Sequence, residues 1–320
     1  MTKSRNNILV TGGAGFIGSQ LVQRLAQANN RLTVIDNLST GSLKNLEGLQ
    51  SKIKFIKSDL GRALKANLKL QNFDIIYHLA ANPYIPPSVK NPKYDFEQNL
   101  MNTFLLLEVL RETANPPCLV NVSSAAVYGN PEKLPIKEGD ATLPVSPYGV
   151  SKLAAERYAT VYSRLYGLKT MNLRYFPAFG PGQKKQVIFD LILKLKKNPN
   201  RLDIYGDGSQ TRDFTFVDDI VTATILVGKK GVGSGEAYNI ATGKSYSIKK
   251  LVKVICKVYR LKPALKYTGI NRPGDTEKWE ADITKIKKLG FKPAYSLEQG
   301  ILKIKKWMDG EGEMKNIYDK

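Results

Sequence analysis

Gly12, Gly13, Gly15 and Gly18 crowd the stretch between an apolar run (Ile8, Leu9, Val10) and an amphipathic segment opening at Phe16. Glycine tolerates tight turns and close backbone approach that a Cβ forbids, so this spacing encodes strand, sharp turn and helix in immediate succession. Gly18 lets the helix settle against the strand, and the helix start offers unpaired N–H groups and a positive dipole end to an anion. Few folds begin this way. The pattern opens a parallel α/β sheet, and a dinucleotide pyrophosphate is the ligand that suits it.

The rest of the first half repeats the theme. Short β-branched runs at 7–11, 32–36, 54–58, 74–80, 119–123 and 170–174 read as strands. Amphipathic stretches at 16–28, 62–70, 95–112 and 148–166 read as crossover helices, with Leu105, Leu106 and Val109 on one stripe. Six strands joined by crossovers imply an α/β fold with a doubly wound parallel sheet, the Rossmann arrangement. Pro177, Gly180, Pro181 and Gly182 then break the texture and mark a boundary. The expected division is a dinucleotide-binding domain over 1–176 and a smaller α/β substrate-binding domain over 177–320, with about 214–242 returning to the first. Within the second part, helices are expected over 187–197, from Asp218, over 248–259 and over 297–308. Strands are expected at 202–205 and 210–216, and the polar tail from Asp309 reads as loose.

Composition narrows the chemistry. The 320 residues hold one histidine, His78, which excludes any catalytic triad not built on it and any zinc site needing two histidines. Proton transfers therefore fall to a phenol, hydroxyl, carboxylate or amine. The net charge of +21 has two readings, a nucleic-acid binder or a lysine-rich solvated surface that attracts small anions. The lysines are scattered, with only short doublets such as Lys184 and Lys185, so no nucleic-acid partner is expected. Cys118 and Cys256 are far apart and outside any CxxC pattern, as in a reducing compartment. No apolar run is long enough to span a bilayer and the start lacks a signal-peptide pattern. A cytoplasmic protein without membrane contact is the expectation.

Asp36 ends the second strand 23 residues after Gly13, the place of the acid that binds an adenosine ribose. A carboxylate there accepts the ribose hydroxyls and repels a 2′-phosphate, favouring NAD over NADP. Asp59, ending the third strand, is expected beside the adenine. Tyr148 and Lys152 stand at i and i+4 and share one helix face. A free tyrosine, with pKa about 10, is no base at neutral pH, but a neighbouring ammonium favours its phenolate. Lowering it by about three units requires about 4 kcal/mol. Ser123 and Ser124 end the fifth strand, at the sheet edge that lines the ligand crevice.

The segments TGGAGFIG, VIDNLSTG, HLAANP, SSAAVYG, YGVSK, LRYFPAFGPGQ, GDGSQTRDFTFVDD and RPGD together resemble the extended short-chain dehydrogenases/reductases. Within them the chain is similar to the NAD-dependent epimerase/dehydratase family, in particular its UDP-glucose 4-epimerase-like members. The resemblance implies a catalytic set of Ser124, Tyr148 and Lys152. It implies NAD contacts from Gly12, Gly15, Phe16, Ile17, Gly18, Asp36, Asn37, Ser39, Asp59, Leu60, Leu79, Ala80, Ala81, Asn99, Ser123, Tyr148, Lys152 and Tyr175. Substrate contacts are implied for Ser124, Tyr148, Val187, Arg212, Arg272 and Asp275, the two arginines clamping a pyrophosphate. The implied reaction inverts C4 of a UDP-hexose, UDP-glucose or UDP-galactose, through a transient 4-keto sugar. A homodimer through helices 95–112 and 148–166 is implied as well.

Dehydratases of this superfamily carry an acid in the serine segment, where this chain has Ala125 and Ala126, so dehydration is disfavoured. The chain departs from the family at Pro177, where an asparagine is usual, and in a loop reshaped by Pro83, Pro86 and Pro87. Trp279 stands where bulk would exclude an N-acetyl group, favouring a plain hexose, or is an ordinary core aromatic. Three rival readings stay open: an epimerase of UDP-GlcNAc, UDP-glucuronate or a heptose nucleotide; a non-catalytic NAD-binding scaffold; and a reductase with exchangeable cofactor.

Overall fold

The computed structural model describes residues 6–270 and 276–310. β1 (Asn7–Thr11), β2 (Arg31–Asp36), β3 (Ile53–Lys57), β4 (Ile75–His78), β5 (Cys118–Ser124) and β6 (Thr170–Tyr175) form a parallel sheet with a seventh strand, Ser234–Ile240. The order runs Ser234–Ile240, β6, β5, β4, β1, β2, β3. β1 thus pairs with both β2 and β4, in register Thr11 to Ile35 and Thr11 to His78. Crossovers leave β1 toward opposite edges, opening a crevice at the carboxyl ends of these strands.

The six expected strands are present. The seventh lacks an apolar run, and Gly235 and Glu236 in its sequence argue against a strand. It forms because the Glu236 carboxylate gathers the backbone N–H groups of Val232, Gly233 and Ser234 at 2.7–3.2 Å, folding a turn that delivers the chain to the sheet edge. A bulge between Ser234 and Glu236 accommodates it.

α1 (Phe16–Gln27) buries Gly18, Ser19, Leu21, Val22 and Leu25. A Cβ on Gly18 would lie 2.1 Å from the Gly12 carbonyl oxygen, so only glycine permits this approach of helix to turn. The helix expected over 62–70 is Leu60–Lys65 instead, capped one turn earlier by Asp59, whose Oδ1 accepts the Gly61 N–H at 3.0 Å. The helix expected over 95–112 begins at Pro92 and is interrupted by a π turn, Glu97–Met101, before continuing as Asn102–Arg111. Instead of one strand over 210–216 there are two short ones, Thr211–Arg212 and Thr215–Phe216. Buried Asp213 separates them, turning inward to accept from the Thr242 N–H and hydroxyl and the Gly243 N–H.

A second apolar cluster lies beyond the sheet. Helices Val187–Lys197, Ile248–Tyr259 and Leu297–Gly310 bury Phe189, Ile192, Leu251, Ile255, Ile301 and Ile304 against one another. The strand Arg201–Ile204 pairs in parallel with Ala264–Tyr267 on their flank. The helix Val217–Lys230 instead packs on α1, β5 and β6. Asp309 and Gly310, expected in a loose tail, continue the last helix. Among the described residues no helix is long and apolar enough to cross a membrane.

Candidate active site

A cleft of about 810 Å³ separates the carboxyl ends of the strands from the second cluster. Ligand pockets span roughly 300–1,000 Å³, so this one is large enough for more than a single small group. One end is lined by Gly12, Gly15, Phe16, Ile17, Gly18, Asp36, Asn37, Ser39, Asp59, Leu60, Leu79, Ala80 and Ala81. The residues fit a dinucleotide. Gly15 at the start of α1 supplies no side-chain cap, leaving first-turn N–H groups for an anion. At Gly12, φ is +69° and a Cβ would lie 2.7 Å from the Ala80 nitrogen, so the cradle closes around glycine alone. Each Asp36 oxygen accepts one backbone N–H, from Ala14 at 2.9 Å and Leu38 at 2.8 Å, which holds the carboxylate still and leaves further lone pairs for ribose hydroxyls. Asp59 lines the same end while one of its oxygens caps its helix.

The other elements bring Ser124, Tyr148 and Lys152 onto one wall. The helix Pro147–Tyr166 starts sharply because Ser146 accepts the Gly149 N–H at 3.2 Å and Pro147 occupies its first position. The Tyr148 N–H donates to the Ser88 hydroxyl at 3.1 Å. Lys152 is 6% exposed and its Nζ donates to the Val122 carbonyl at 3.0 Å. Burial pushes the Tyr148 phenol up to about 12, and the Ser124 hydroxyl is the influence that lowers it. Burial pushes the Lys152 ammonium down to about 8, opposed by the Asp95 carboxylate. The lysine is therefore tied to β5 rather than to the phenol, a tertiary choice that helical spacing does not encode.

The neighbouring serines separate by strand alternation. Ser124 Oγ accepts the Ala126 N–H at 3.1 Å, which leaves its own proton to give. Ser123 also lines the cleft, but its hydroxyl donates to Glu156 at 2.9 Å, into a buried ion pair with Arg174. Ala125 and Ala126 are buried and offer no acid. Tyr175 lines the cleft with its hydroxyl bonded to Thr224 at 2.6 Å. His78 is held between the Thr11 and Thr103 hydroxyls at 2.8 and 3.0 Å, and burial pushes it down to about 3. It is a neutral core histidine.

Asn99 does not line the cleft. In the π turn its carboxamide accepts the Asn82 N–H at 2.7 Å and donates to Asp95 at 3.0 Å. Asp95 was missed in the sequence. It is fully buried and accepts from Asn82 at 2.8 Å, Asn99 at 3.0 Å and Ser151 at 2.6 Å. The i,i+4 spacing of Asp95 and Asn99 was its one local signal, and nothing in the sequence placed it under Lys152.

At the far end of the cleft are Val187, Arg212, Pro177 and Trp279. The Arg212 guanidinium donates to the carbonyls of Thr211, Thr276 and Glu277 and lies 5.3 Å over the Trp279 ring. Trp279 is 6% exposed, packs edge-on against Phe176 and donates through Nε1 to Gly129, so it is a core aromatic that also forms a cleft wall. The Pro177 carbonyl accepts the Thr215 N–H at 2.9 Å, while proline offers no N–H of its own. Pro83, Pro86 and Pro87 line the loop and first turn that lead to Ser88. Arg272 and Asp275 lie outside the described residues. Among the described residues no cluster of side chains could hold a metal ion.

The chain is similar to known proteins along nearly its whole length. The family model described as GDP-mannose 4,6 dehydratase matches residues 9–304. A putative UDP-glucose 4-epimerase of Methanocaldococcus jannaschii is 36% identical over 306 residues, covering 94% of this chain and 98% of its own. The UDP-N-acetylglucosamine 4-epimerase of Methanobrevibacter ruminantium, solved with UDP-N-acetylmuramic acid, superposes with a TM-score of 0.88 at 34% identity, over 97% of this chain and 100% of its own. The UDP-glucuronic acid 4-epimerase of Bacillus cereus, solved with UDP-glucuronic acid and NAD, gives 0.86 at 30% identity, over 95% and 99%.

Proposed function

The chain belongs to the NAD-dependent epimerase/dehydratase family of extended short-chain dehydrogenases/reductases and is an NAD-dependent sugar-nucleotide epimerase; from that premise we propose that it inverts C4 of a UDP-hexose of the glucose/galactose pair. The observation that carries this reading is the convergence of Tyr148, Ser124 and Lys152 on one cleft wall, with alanines where an eliminating enzyme needs an acid.

NAD, held by the glycine turn and Asp36, would supply a hydride acceptor and donor at the sugar carbon. The remaining work falls to the chain. Asp36 and the start of α1 hold the ribose and pyrophosphate. Tyr148 takes the proton from the sugar 4-OH and later gives it back, while the Ser124 hydroxyl donates a hydrogen bond to that oxygen. Burial holds the Tyr148 phenol protonated and Lys152 bonds to β5 instead of to it, so the phenolate requires positive charge brought to this wall. Lys152, whose charged form Asp95 favours, lines the same wall and supplies part of that charge. Arg212 holds the diphosphate while the keto sugar turns over. The wall formed by Trp279 favours a hexose without an acetamido group.

Val150, Tyr158, Val161 and Leu165 are exposed along the Pro147–Tyr166 helix, beside exposed Phe96 and Met101. A homodimer through these helices would cover that apolar stripe.

The test is to incubate purified protein with UDP-galactose without added NAD and to analyse the sugar products. UDP-glucose is expected from the wild type. Tyr148→Phe should lose roughly 10²–10⁴ of the turnover while retaining NAD. Near-normal epimerisation by that variant would refute the assignment.

A further inference from the structure

Residues 37–46, which leave β2, pass over the glycine turn as a strap. Asn37, Ser39, Thr40, Ser42 and Asn45 of this strap line the cleft beside Asp36. Both of its ends are anchored. At the start Leu38 holds φ at +61°, in the left-handed region that a leucine rarely adopts, while its N–H donates to Asp36 Oδ1 at 2.8 Å. At the other end the 3₁₀ turn Leu43–Leu46 buries Leu46 in the apolar cluster that holds Val10, Leu21 and Val34.

Between these anchors the strap is fastened to one residue of the glycine turn. The Ala14 carbonyl accepts the Ser42 N–H at 3.0 Å and the Asn45 Nδ2 at 2.8 Å. The Ala14 N–H donates to Asp36 Oδ2 at 2.9 Å. Strap, phosphate turn and ribose acid therefore meet at Ala14 and are held in register by it. The approach is close, since a Cβ on Gly41 would lie 2.8 Å from the Ala14 carbonyl carbon and 3.0 Å from Asp36 Oδ1. The groups that fit the ribose and the pyrophosphate are thus walled on one side by the strap. Of the two bonds to the Ala14 carbonyl, the one from Asn45 comes from a side chain, so a substitution removes it without touching the backbone.

We propose that Asn45 is a positioning residue that latches the strap onto the phosphate turn and so sets how long NAD stays bound. The proposal goes beyond the substrate reading, because it holds whichever hexose is inverted. An epimerase returns its cofactor to the starting oxidation state in every cycle, so the reaction has no need to exchange it. Release requires the strap to lift from Ala14. Without the Asn45 bond the Ser42 N–H alone holds the strap there, and losing one part-buried hydrogen bond shifts such a local opening roughly tenfold. The chemistry does not pass through Asn45, since Tyr148, Ser124 and Lys152 stand on a wall built from β5 and the Pro147–Tyr166 helix.

The test takes the purified NAD-loaded protein, adds an excess of isotopically labelled NAD and follows exchange by mass spectrometry. Wild type should exchange far more slowly than it turns over. Asn45→Ala should exchange roughly tenfold faster, and Asn45→Asp at least as fast, because a carboxylate oxygen then faces the Ala14 carbonyl. Leu43→Ala, at an exposed position of the same strap, should exchange like the wild type. Saturating NAD should restore wild-type turnover of UDP-galactose to Asn45→Ala, and its NAD-free form should melt with that of Leu43→Ala. Exchange unaltered in both Asn45 variants overturns the proposal, as does wild-type NAD that exchanges as fast as mixing. Faster exchange with a lowered NAD-free midpoint and turnover that added NAD does not restore is general damage to the fold, and overturns the latch as well. Asn45-dependent exchange without conversion of UDP-galactose supports the latch and overturns the C4 reading instead.

Discussion

Lys152 should make this protein less stable than it could be. Its ammonium is buried and sits near 8, against an ordinary value of 10.5, because burial outweighs the attraction of Asp95. A difference of about 2.5 in pKa corresponds to about 3 kcal/mol disfavouring the charged form in the folded state at neutral pH. Lys152→Met removes that penalty while keeping most of the stem volume. It also loses the hydrogen bond from Nζ to the Val122 carbonyl, worth about 1.5–3 kcal/mol for a charged donor. The net expectation is a variant equal to the wild type or up to about 1.5 kcal/mol more stable at pH 7, with turnover lost. The sign with pH is the sharper signature. Below pH 8 both folded and unfolded states carry the proton, so the penalty is present in full. Between about pH 8 and 10.5 the unfolded chain holds more protons at this lysine than the folded one, and wild-type stability rises with pH relative to the variant. Urea unfolding of both proteins at pH 7, 8, 9 and 10 reads this directly. A variant more than 2 kcal/mol less stable at pH 7, with a difference that does not change up to pH 10, would refute the reasoning.

Three further outcomes follow from particular contacts. Gly18→Ala places a Cβ 2.1 Å from the Gly12 carbonyl oxygen, so the glycine turn must shift; NAD should co-purify poorly and the thermal midpoint should fall. Glu156→Ala leaves the buried Arg174 guanidinium without its ion partner, which should destabilise the fold by about 3–5 kcal/mol in urea unfolding. Leu165→Glu puts a charge into the exposed stripe of the Pro147–Tyr166 helix, where Leu165 is 70% exposed. It should turn a dimer into a monomer in sedimentation with little loss of monomer stability, and unchanged mass would refute the dimer surface.

Much of this molecule was legible because its signals are local. A strand, a turn and a helix in succession need only neighbouring residues, so the glycine turn and the first six strands read directly from apolar runs and glycine spacing. The helices Val187–Lys197 and Ile248–Tyr259 have the expected bounds for the same reason. The spacing of Tyr148 and Lys152 put both on one helix face, and both do line the cleft. The seventh strand was invisible because its pairing depends on Glu236 folding back on its own backbone at a sheet edge, with no apolar alternation to announce it.

By itself, then, the sequence determined the βα succession, the place of the phosphate turn and the order in which tyrosine, lysine and serine would meet. Tertiary structure decided where polar groups finish. It sent the Ser123 hydroxyl to Glu156 and left Ser124 facing the cleft, drew the Lys152 ammonium to Val122, and set Asp95 and Asn99 beneath the wall instead of on it. It also brought Lys185 over Tyr84, about a hundred residues earlier in the chain. Backbone conformation responds to nearest neighbours, whereas a buried hydrogen bond or ion pair needs a partner from a distant segment. Only the folded chain supplies that partner.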